Sequence, residues 1–460
     1  MQHYDAIVIG SGQAGTPLSR KLAESGLKTA LIEKRWVGGT CVNDGCSPTK
    51  AMIASAKAAW SVYHNKSLGV ITDHFYVDFS AIIKRKDDIV HRMRSSSEKS
   101  IQETKNLDLF YGTATFSGNK EITVTLNDGG TAVFTADKFF INTGEKPSVP
   151  KIDGIESVDY LTSTSIMELD SIPEHLLVLG SGYIGLEFGQ MFKRFGSKVT
   201  IIEPSGRILK KEDADIAEEV TKVLKEEDIQ VLTNTKAKSI TKNGDHIAVT
   251  VDENGKETVM ESSHILVATG RRPQTKELGL DKTGVDVDEK GYIKVNDKLE
   301  TSAAGIYALG DVKGGPAFTH ISYDDYRIIS ENVISNGNAS TKDRLVPYCM
   351  FIDPQLGRVG ITEQEAREQG LDILVATMKN DSVARSIETG DERGMMKAVI
   401  DAKTKQILGA SVLAEQGGEI VTILQMAMMG HVTYDRLMNG VFAHPTYAES
   451  LNNLFMTLEQ

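Results

Sequence analysis

Two segments of the chain, 170 residues apart, share a pattern of apolar run, glycine-rich turn, helix and a second apolar run that ends in an acid. The spacing is the same in both copies, which contain Gly10, Gly12, Gly15 and Glu33, and then Gly180, Gly182, Gly185 and Glu203. Such glycines admit a pyrophosphate to the N-terminus of the following helix, and the acid is placed to accept hydrogen bonds from a ribose. The repeat therefore predicts two βαβ units that each bind a dinucleotide.

The stretch from Gly38 to Lys50 contains two cysteines, Cys41 and Cys46, before a helical run from Ala51 to His64. The positive end of a helix dipole favours a thiolate. Two thiols this close can alternate between a disulfide and a dithiol. Two buried cysteines with ordinary packing roles are the alternative, because free cysteine is often a core residue.

Composition excludes several classes of protein. The 460 residues suffice for roughly three domains, and their net charge of −12 gives no basic footprint for nucleic acid. No apolar run is long enough to cross a membrane, and the N-terminus enters a strand-like run without room for a secretory signal. Three cysteines favour a reducing compartment, so we expect a cytoplasmic protein. The sequence contains no cluster of four Cys or His residues, so no metal site is predicted.

The cysteine stretch and, with it, essentially the whole chain resemble the flavin-dependent pyridine nucleotide–disulfide oxidoreductases. This family includes dihydrolipoyl dehydrogenase, glutathione reductase and mercuric reductase. The resemblance implies an α/β fold with two Rossmann-like domains, for FAD and then NAD, and a C-terminal α+β dimerisation domain. It also implies a homodimer. Glu203 favours NADH over NADPH, because a carboxylate repels a 2′-phosphate, although Arg207, Lys210 and Lys211 lie near enough to tolerate NADPH.

The resemblance also divides the chain. A strand–Thr-Gly junction ends the first FAD segment, a second one ends the NAD(P) segment, and a strand that ends at Asp311 marks the return to FAD. The expected domains are FAD-binding over 1–149, NAD(P)-binding over 150–271, FAD-binding again over 272–345, and dimerisation over 346–460.

The family's electron path runs from reduced nicotinamide to flavin, to the Cys41–Cys46 disulfide and then to a substrate, or the reverse. Cys46 would face the flavin and Cys41 would meet the substrate. His444 is the expected base, oriented by Glu449 and acting across the subunit interface. Lys50 is expected to be buried and to pair with Glu187 beside the flavin. The remaining expected cofactor contacts are Thr40, Lys50, Thr143, Gly144 and Asp311 for FAD, and Tyr183 and Gly270 for the nicotinamide.

Some residues depart from the family pattern. Asn142 stands where the family usually has Ala, and the sequence predicts no consequence. Asp44 lies between the cysteines and is expected to raise the thiol pKa. Phe442 stands where dihydrolipoyl dehydrogenase usually has a further His. The last residues lack the vicinal cysteines that receive the metal in mercuric reductases, so mercury reduction is disfavoured.

The motifs do not name the substrate or the direction of the reaction. A thiol or disulfide, small or protein-borne, is the first expectation. Direct electron transfer from flavin to a quinone, a metal ion or an oxidant is the second. A non-catalytic redox sensor is the third.

Overall fold

The structure, a computed structural model, describes residues 2–459. The chain forms two compact units. The first unit comprises Met1–Ala51, Ile83–Ser148 and Gly270–Arg344, and the second comprises Met52–Ile82, Val149–Thr269 and Leu345–Gln460. The chain changes from one unit to the other after residues 148, 269 and 344, close to the expected domain boundaries after residues 149, 271 and 345. The expected NAD(P)-binding and dimerisation segments share the second unit, so the four-part division stays a prediction.

A parallel sheet forms the centre of the first unit. Its strands, in spatial order, are Leu107–Gly118, Thr29–Glu33, Gln2–Ile9, Thr131–Ile141 and Ile306–Ala308. The ends of three neighbouring strands are in register, because Ile141 pairs with both Ile9 and Ala308. Ligands of open parallel sheets bind beyond the carboxyl ends of the strands. The segments that follow Ile9, Ile141 and Ala308 therefore begin side by side at a ligand-binding edge.

Strands Leu107–Gly118 and Thr131–Ile141 extend beyond the parallel sheet into an antiparallel ribbon. In this ribbon, strand Glu121–Leu126 pairs with residues 112–118 of the first strand and with residues 131–135 of the second. The sequence Asn127-Asp128-Gly129-Gly130 is typical of a hairpin turn and joins strand Glu121–Leu126 to strand Thr131–Ile141. Gly129 and Gly130 take φ values of +105° and +84° there. A short two-stranded sheet pairs Glu145–Pro147 with Arg271–Pro273.

Apolar side chains cover the parallel sheet of the first unit. Leu18 and Leu22 of helix Gly15–Glu24 are fully buried in a cluster with Val8 and Phe140 of the sheet. The other helices that belong wholly or partly to this unit are Gly39–Asn43, Cys46–His64, Phe79–Gln102 and Thr319–Ile334. The run predicted from Ala51 begins earlier, at Cys46. Pro48 is compatible with this start, because proline is tolerated in the first turn of a helix.

The second unit repeats the arrangement. A parallel sheet has the order His264–Val267, His175–Leu179, Lys198–Ile202 and Gln230–Leu232. An antiparallel ribbon follows, made of Thr235–Asn243, His246–Glu253 and Lys256–Ser262. The helices are Tyr183–Phe195 and Ala214–Glu226. Asp213 lies at the N-cap of the second helix, where its side chain accepts hydrogen bonds from the backbone N–H groups of residues 363 and 364.

The C-terminal part of the second unit contains an antiparallel sheet. Its strands, in spatial order, are Tyr348–Met350, Gln355–Gly360, Ile407–Ala414, Met395–Asp401 and Ile373–Lys379. The helices are Glu363–Glu368, Ala384–Thr389, Gly417–Met429, Tyr434–Met438 and Ser450–Met456. The sequence Thr362-Glu363-Gln364-Glu365 has the pattern of a capping box, and Thr362 and Glu365 are bonded reciprocally at the start of helix Glu363–Glu368. Met426 and Met429 are exposed on helix Gly417–Met429.

Candidate active site

The first glycine turn depends on the absence of side chains. Gly10 has a φ of +100°, and a Cβ atom there would lie 2.4 Å from the carbonyl oxygen of Asn142. A Cβ atom on Gly15 would lie 2.0 Å from the carbonyl oxygen of Gly10. The helix that begins at Gly15 has no acidic residue in its first turn. A close turn that leads into the positive end of a helix suits the pyrophosphate of FAD.

The second glycine turn has the same constraints. A Cβ atom on Gly180 would lie 2.8 Å from the carbonyl oxygen of Ala268, and one on Gly185 would lie 2.2 Å from that of Gly180. Gly182 lies at the N-cap of helix Tyr183–Phe195, whose first turn also lacks an acid. This turn therefore fits a second dinucleotide.

The two predicted ribose acceptors, Glu33 and Glu203, are buried and held by matching serines. One carboxylate oxygen of Glu33 accepts from Ser11 N at 3.0 Å and from Ser11 Oγ at 2.7 Å. One oxygen of Glu203 accepts from Ser181 N at 3.4 Å and from Ser181 Oγ at 2.6 Å. The serines, like the glycines, are 170 residues apart. Each serine therefore fixes the orientation of the carboxylate that is predicted to bind a ribose.

Glu203 carries further hydrogen bonds. Ser205 donates to its other oxygen through N at 3.0 Å and Oγ at 2.5 Å, and Lys210 Nζ lies 3.5 Å away. Burial alone would raise the pKa of Glu203, but the bonds from Ser181 and Ser205 and the charge of Lys210 hold that pKa below its ordinary value. Glu203 is therefore an anion at neutral pH.

The cysteine segment is attached to the first glycine turn. Gly38 N donates to Ser11 O at 3.1 Å. A Cβ atom on Gly39 would lie 2.7 Å from the Cα atom of Gly12. Asn43 then fastens the short helix Gly39–Asn43, because its Nδ2 donates to Val37 O at 3.0 Å and to Gly39 O at 2.9 Å. The thiols are thereby fixed relative to the turn that fits a pyrophosphate.

Cys41 and Cys46 are both in the thiol form, and Cys46 is exposed at the start of its helix. The Cys46 Sγ atom lies 3.5 Å from Thr319 Oγ1. The pKa of Cys41 is raised well above its ordinary value, first by its hydrogen bond with Cys46 and then by burial and the charge of Cys46. Thr319 and the positive charge of Lys50 act in the opposite direction. The pair thus holds one negative charge far more readily than two.

The acid between the cysteines has a cationic partner. Asp44 forms an ion pair with Arg35, whose guanidinium lies over the ring of Trp36 at 4.5 Å. The expected effect of Asp44 on the thiol pKa stays a prediction, and Arg35 is a partner of Asp44 that was not predicted from the sequence.

Asp311 follows the last strand of the first sheet. Burial, with the nearby charge of Glu145, raises the pKa of Asp311 to about 6, against opposing effects of Arg271 and Lys313. Thr143 Oγ1 donates to Gln274 O at 3.0 Å, and Gly144 O accepts from Gln274 N at 2.9 Å. The expected FAD contacts Thr143, Gly144 and Asp311 therefore lie in the same unit as the first glycine turn, together with Thr40 and Lys50.

Four further expected site residues, His444, Glu449, Tyr183 and Glu187, lie in the second unit, whereas Gly270 begins a segment of the first unit. His444 is exposed, and its Nδ1 lies 2.9 and 3.1 Å from the two carboxylate oxygens of Glu449. Tyr183 is 40% exposed at the start of its helix. Glu187 is buried and accepts from Phe351 N at 2.8 Å. Lys50 is half-buried in the first unit, not fully buried as expected, and its pairing with Glu187 stays a prediction.

Two family profiles match the chain. The profile described as pyridine nucleotide-disulphide oxidoreductase matches residues 4–325, and that of the dimerisation domain of the same enzymes matches residues 346–455. The chain belongs to the pyridine nucleotide–disulphide oxidoreductase family. It is an FAD-dependent enzyme that exchanges electrons with NAD(P)H through a redox-active cysteine pair, Cys41 and Cys46. The dimerisation domain supports a homodimer.

Three relatives illustrate the range of this family. The probable pyridine nucleotide-disulfide oxidoreductase RclA of Escherichia coli is 38% identical over 459 residues, with 99% of each chain covered. A mercuric reductase of Staphylococcus aureus is 35% identical over 99% of this chain and 83% of its own. A dihydrolipoyl dehydrogenase of Thermus scotoductus is 35% identical over 98% of this chain and 96% of its own.

A solved structure shares the whole fold of this oxidoreductase. It is the Cu(II) complex of HOCl-induced flavoprotein disulfide reductase RclA from Escherichia coli, with a TM-score of 0.91 and 37% identity over 99% of both chains. Among residues 2–459 of the present enzyme, no helix is both long and apolar enough to cross a bilayer.

Several residues that shape this site were not predicted from the sequence. Ser11 and Ser181 could have been found, because they keep the spacing of the glycine repeat, and so could Arg35, which is nine positions from Asp44. Thr319 and the side-chain contacts of Asn142 could not, because those contacts join segments that are distant in the sequence.

The coupling between the thiols can be tested by alkylation. In reduced enzyme, Cys46→Ser removes the main cause of the raised Cys41 pKa. We therefore expect iodoacetamide to alkylate Cys41 at pH 7 at least ~10-fold faster than in the wild type, because each pKa unit changes the thiolate fraction about tenfold. Peptide mass spectrometry measures the rate. Cys349 of the same molecules is the internal control and should keep its rate. An unchanged Cys41 rate would contradict the coupling.

Proposed function

We propose that the enzyme uses NADH to reduce a disulfide substrate, with FAD in the first glycine turn and NADH in the second. FAD is assigned to the first turn because the cysteine segment is attached to that turn. The attachment is a hydrogen bond from Gly38 to Ser11 and a close backbone approach of Gly39 to Gly12. A flavin held by that turn has the cysteines as close neighbours in the same unit. FAD supplies the chemistry that connects hydride transfer to thiol exchange.

The protein residues have separate roles in this proposal. Cys46 is the flavin-facing thiol, at the start of its helix and beside Thr319. Cys41 attacks the substrate disulfide, forming a mixed disulfide and releasing one substrate thiol. Cys46 then attacks Cys41, which restores the Cys41–Cys46 disulfide and releases the second thiol. Lys50 favours the thiolate form of Cys41 during this exchange.

Substrate thiols leave as thiolates and need a proton donor. We propose His444 for this role, and for proton removal in the reverse direction. Glu449 contacts Nδ1 of His444, which leaves Nε2 for the substrate, the arrangement that a carboxylate gives to a catalytic imidazole. In a homodimer, His444 would serve the thiols of the partner subunit. Glu187 would support Lys50, and Tyr183 would cover the flavin until nicotinamide binds. Gly270 would line the nicotinamide site.

A second candidate function is reduction of a metal ion or an oxidant. RclA, similar over its whole length, is described as HOCl-induced and has been solved as a Cu(II) complex. The relatives also include mercuric reductases. In this alternative the flavin or the dithiol passes electrons to the acceptor without thiol exchange. We further propose a cytoplasmic location, where NADH is produced, and the four-part domain division given above.

Replacement of Cys41 separates these functions. FAD-loaded enzyme is assayed with dihydrolipoamide and NAD⁺, with oxidised disulfides and NADH, and with Cu(II) or a quinone and NADH. In Cys41→Ser we expect disulfide reduction to fall at least ~100-fold from a wild-type turnover of roughly 1–10³ s⁻¹, while direct transfer to the quinone persists. Cys349→Ser is the matched control and should behave as wild type. Disulfide reduction that survives in Cys41→Ser would contradict the proposal.

The nicotinamide assignment has its own test. Glu203→Ala removes an anion placed to accept from the 2′-hydroxyl of NADH and to repel the 2′-phosphate of NADPH. We expect the ratio of kcat/KM for NADH to that for NADPH to fall at least ~10-fold, a loss of about 1.4 kcal/mol in discrimination.

Glu33→Ala is the matched control for this measurement, because Glu33 occupies the equivalent position in the first unit. It should weaken FAD retention and leave the nicotinamide preference unchanged. The opposite result, with Glu203→Ala releasing FAD and Glu33→Ala changing nicotinamide preference, would reverse the assignment of the two sites.

A further inference from the structure

Asn142 connects three segments at the ligand-binding edge of the first sheet. It follows strand Thr131–Ile141 and is 7% exposed. Its Oδ1 accepts from Gly15 N at 2.9 Å, and its Nδ2 donates to Leu309 O at 2.8 Å. Its backbone N donates to Ile9 O at 2.8 Å. One residue thus bonds to the first glycine turn and to the segment that leads to Asp311.

The amide is closely surrounded. A Cβ atom on Gly12 would lie 2.8 Å from Asn142 Oδ1, and one on Gly310 would lie 2.7 Å from Asn142 Nδ2. Glycines at both positions therefore make room for this side chain. The N–H of Gly15 is bound inside the protein, so a pyrophosphate must be held by other groups of the turn.

The internal repeat provides a comparison. The carbonyl oxygen that faces Gly10 belongs to Asn142, and the one that faces Gly180 belongs to Ala268. Ala268 has no side-chain group to accept a hydrogen bond from Gly185 or to donate one to a neighbouring strand. The amide bridge therefore belongs to the first of two otherwise matching turns. The proposed ligand of that turn is retained through catalysis, whereas the proposed ligand of the second turn must leave in every cycle.

We propose that Asn142 is a positioning residue that fixes the Gly10–Gly15 turn relative to the Leu309–Asp311 segment and so determines how tightly FAD is held. Two parts of the FAD site that are far apart in the sequence are aligned before the cofactor binds. Preorganisation of this kind lowers the ordering cost of binding. The inference rests on the proposed assignment of FAD to the first unit.

The test compares Asn142→Ala with wild type and with Asn380→Ala. Asn380 is a fully buried amide of the second unit, whose Nδ2 donates to Arg393 O at 2.6 Å and to Leu413 O at 2.8 Å. It is a matched control for the loss of a buried amide. Apoenzyme is titrated with FAD by fluorescence, and the melting temperature is measured with and without FAD.

We expect Asn142→Ala to raise the Kd for FAD at least ~10-fold and to reduce the FAD-induced rise in melting temperature. Asn380→Ala should lower the melting temperature and leave the Kd within about twofold of wild type. The KM for NADH of FAD-saturated Asn142→Ala should stay unchanged. If Asn142→Ala only lowered the melting temperature, as Asn380→Ala does, the positioning role would be overturned.

A second variant covers the case in which Asn142→Ala fails to fold. Asn142→Asp keeps nearly the same shape and the acceptor for Gly15 N, but its ionised form cannot donate to Leu309 O and adds a negative charge near the pyrophosphate. We expect it also to weaken FAD binding at least ~10-fold, and wild-type affinity in this variant would overturn the proposal. Failure of the site assignment would be recognised separately, through the Glu33 and Glu203 variants.

Discussion

The close approach of backbone to backbone at the glycine turns is the constraint on which the rest of this enzyme depends. At Gly10 and at Gly180 any Cβ atom would meet the carbonyl oxygen of the neighbouring strand at 2.4 and 2.8 Å. The strand can therefore pass directly into a helix whose N-terminus faces a ligand. The position of each acid, Glu33 and Glu203, follows, because the serine inside each turn binds it. The same geometry, used twice, gives one chain two dinucleotide sites.

The cysteine pair depends on the first of these turns. Gly39 can lie against Gly12 only because Gly39 has no side chain. The thiols share one negative charge, and their surroundings adjust where it lies. Lys50 and Thr319 favour a Cys41 thiolate, whereas Cys46 and burial oppose it. Arg35 forms an ion pair with Asp44 nearby. These contacts suit a dithiol that must be oxidised and reduced in each cycle.

Features that are local in the sequence were predictable. The glycine repeat, the hairpin turn at residues 127–130 and the capping box of Thr362 and Glu365 depend on residues a few positions apart, as does the contact of His444 with Glu449. Contacts between distant segments were not predictable in this way. Asn142 reaches Gly15 and Leu309 across 127 and 167 positions, and Thr319 reaches Cys46 across 273. The sequence shows that Asn142 departs from the family pattern. The consequence of this departure could not be predicted without knowing how the strands that end at Ile9, Ile141 and Ala308 are aligned.

The central claim is that electrons from nicotinamide pass through one flavin to the Cys41–Cys46 pair. Anaerobic titration of oxidised, FAD-loaded enzyme with NADH tests it most directly, because the flavin and a disulfide each accept two electrons. Wild-type enzyme should consume about two equivalents of NADH per FAD, and Cys41→Ser about one, with the flavin still reduced. Consumption of about one equivalent by both proteins, with the flavin fully reduced in each, would show that the cysteines receive no electrons from the flavin and would contradict the account.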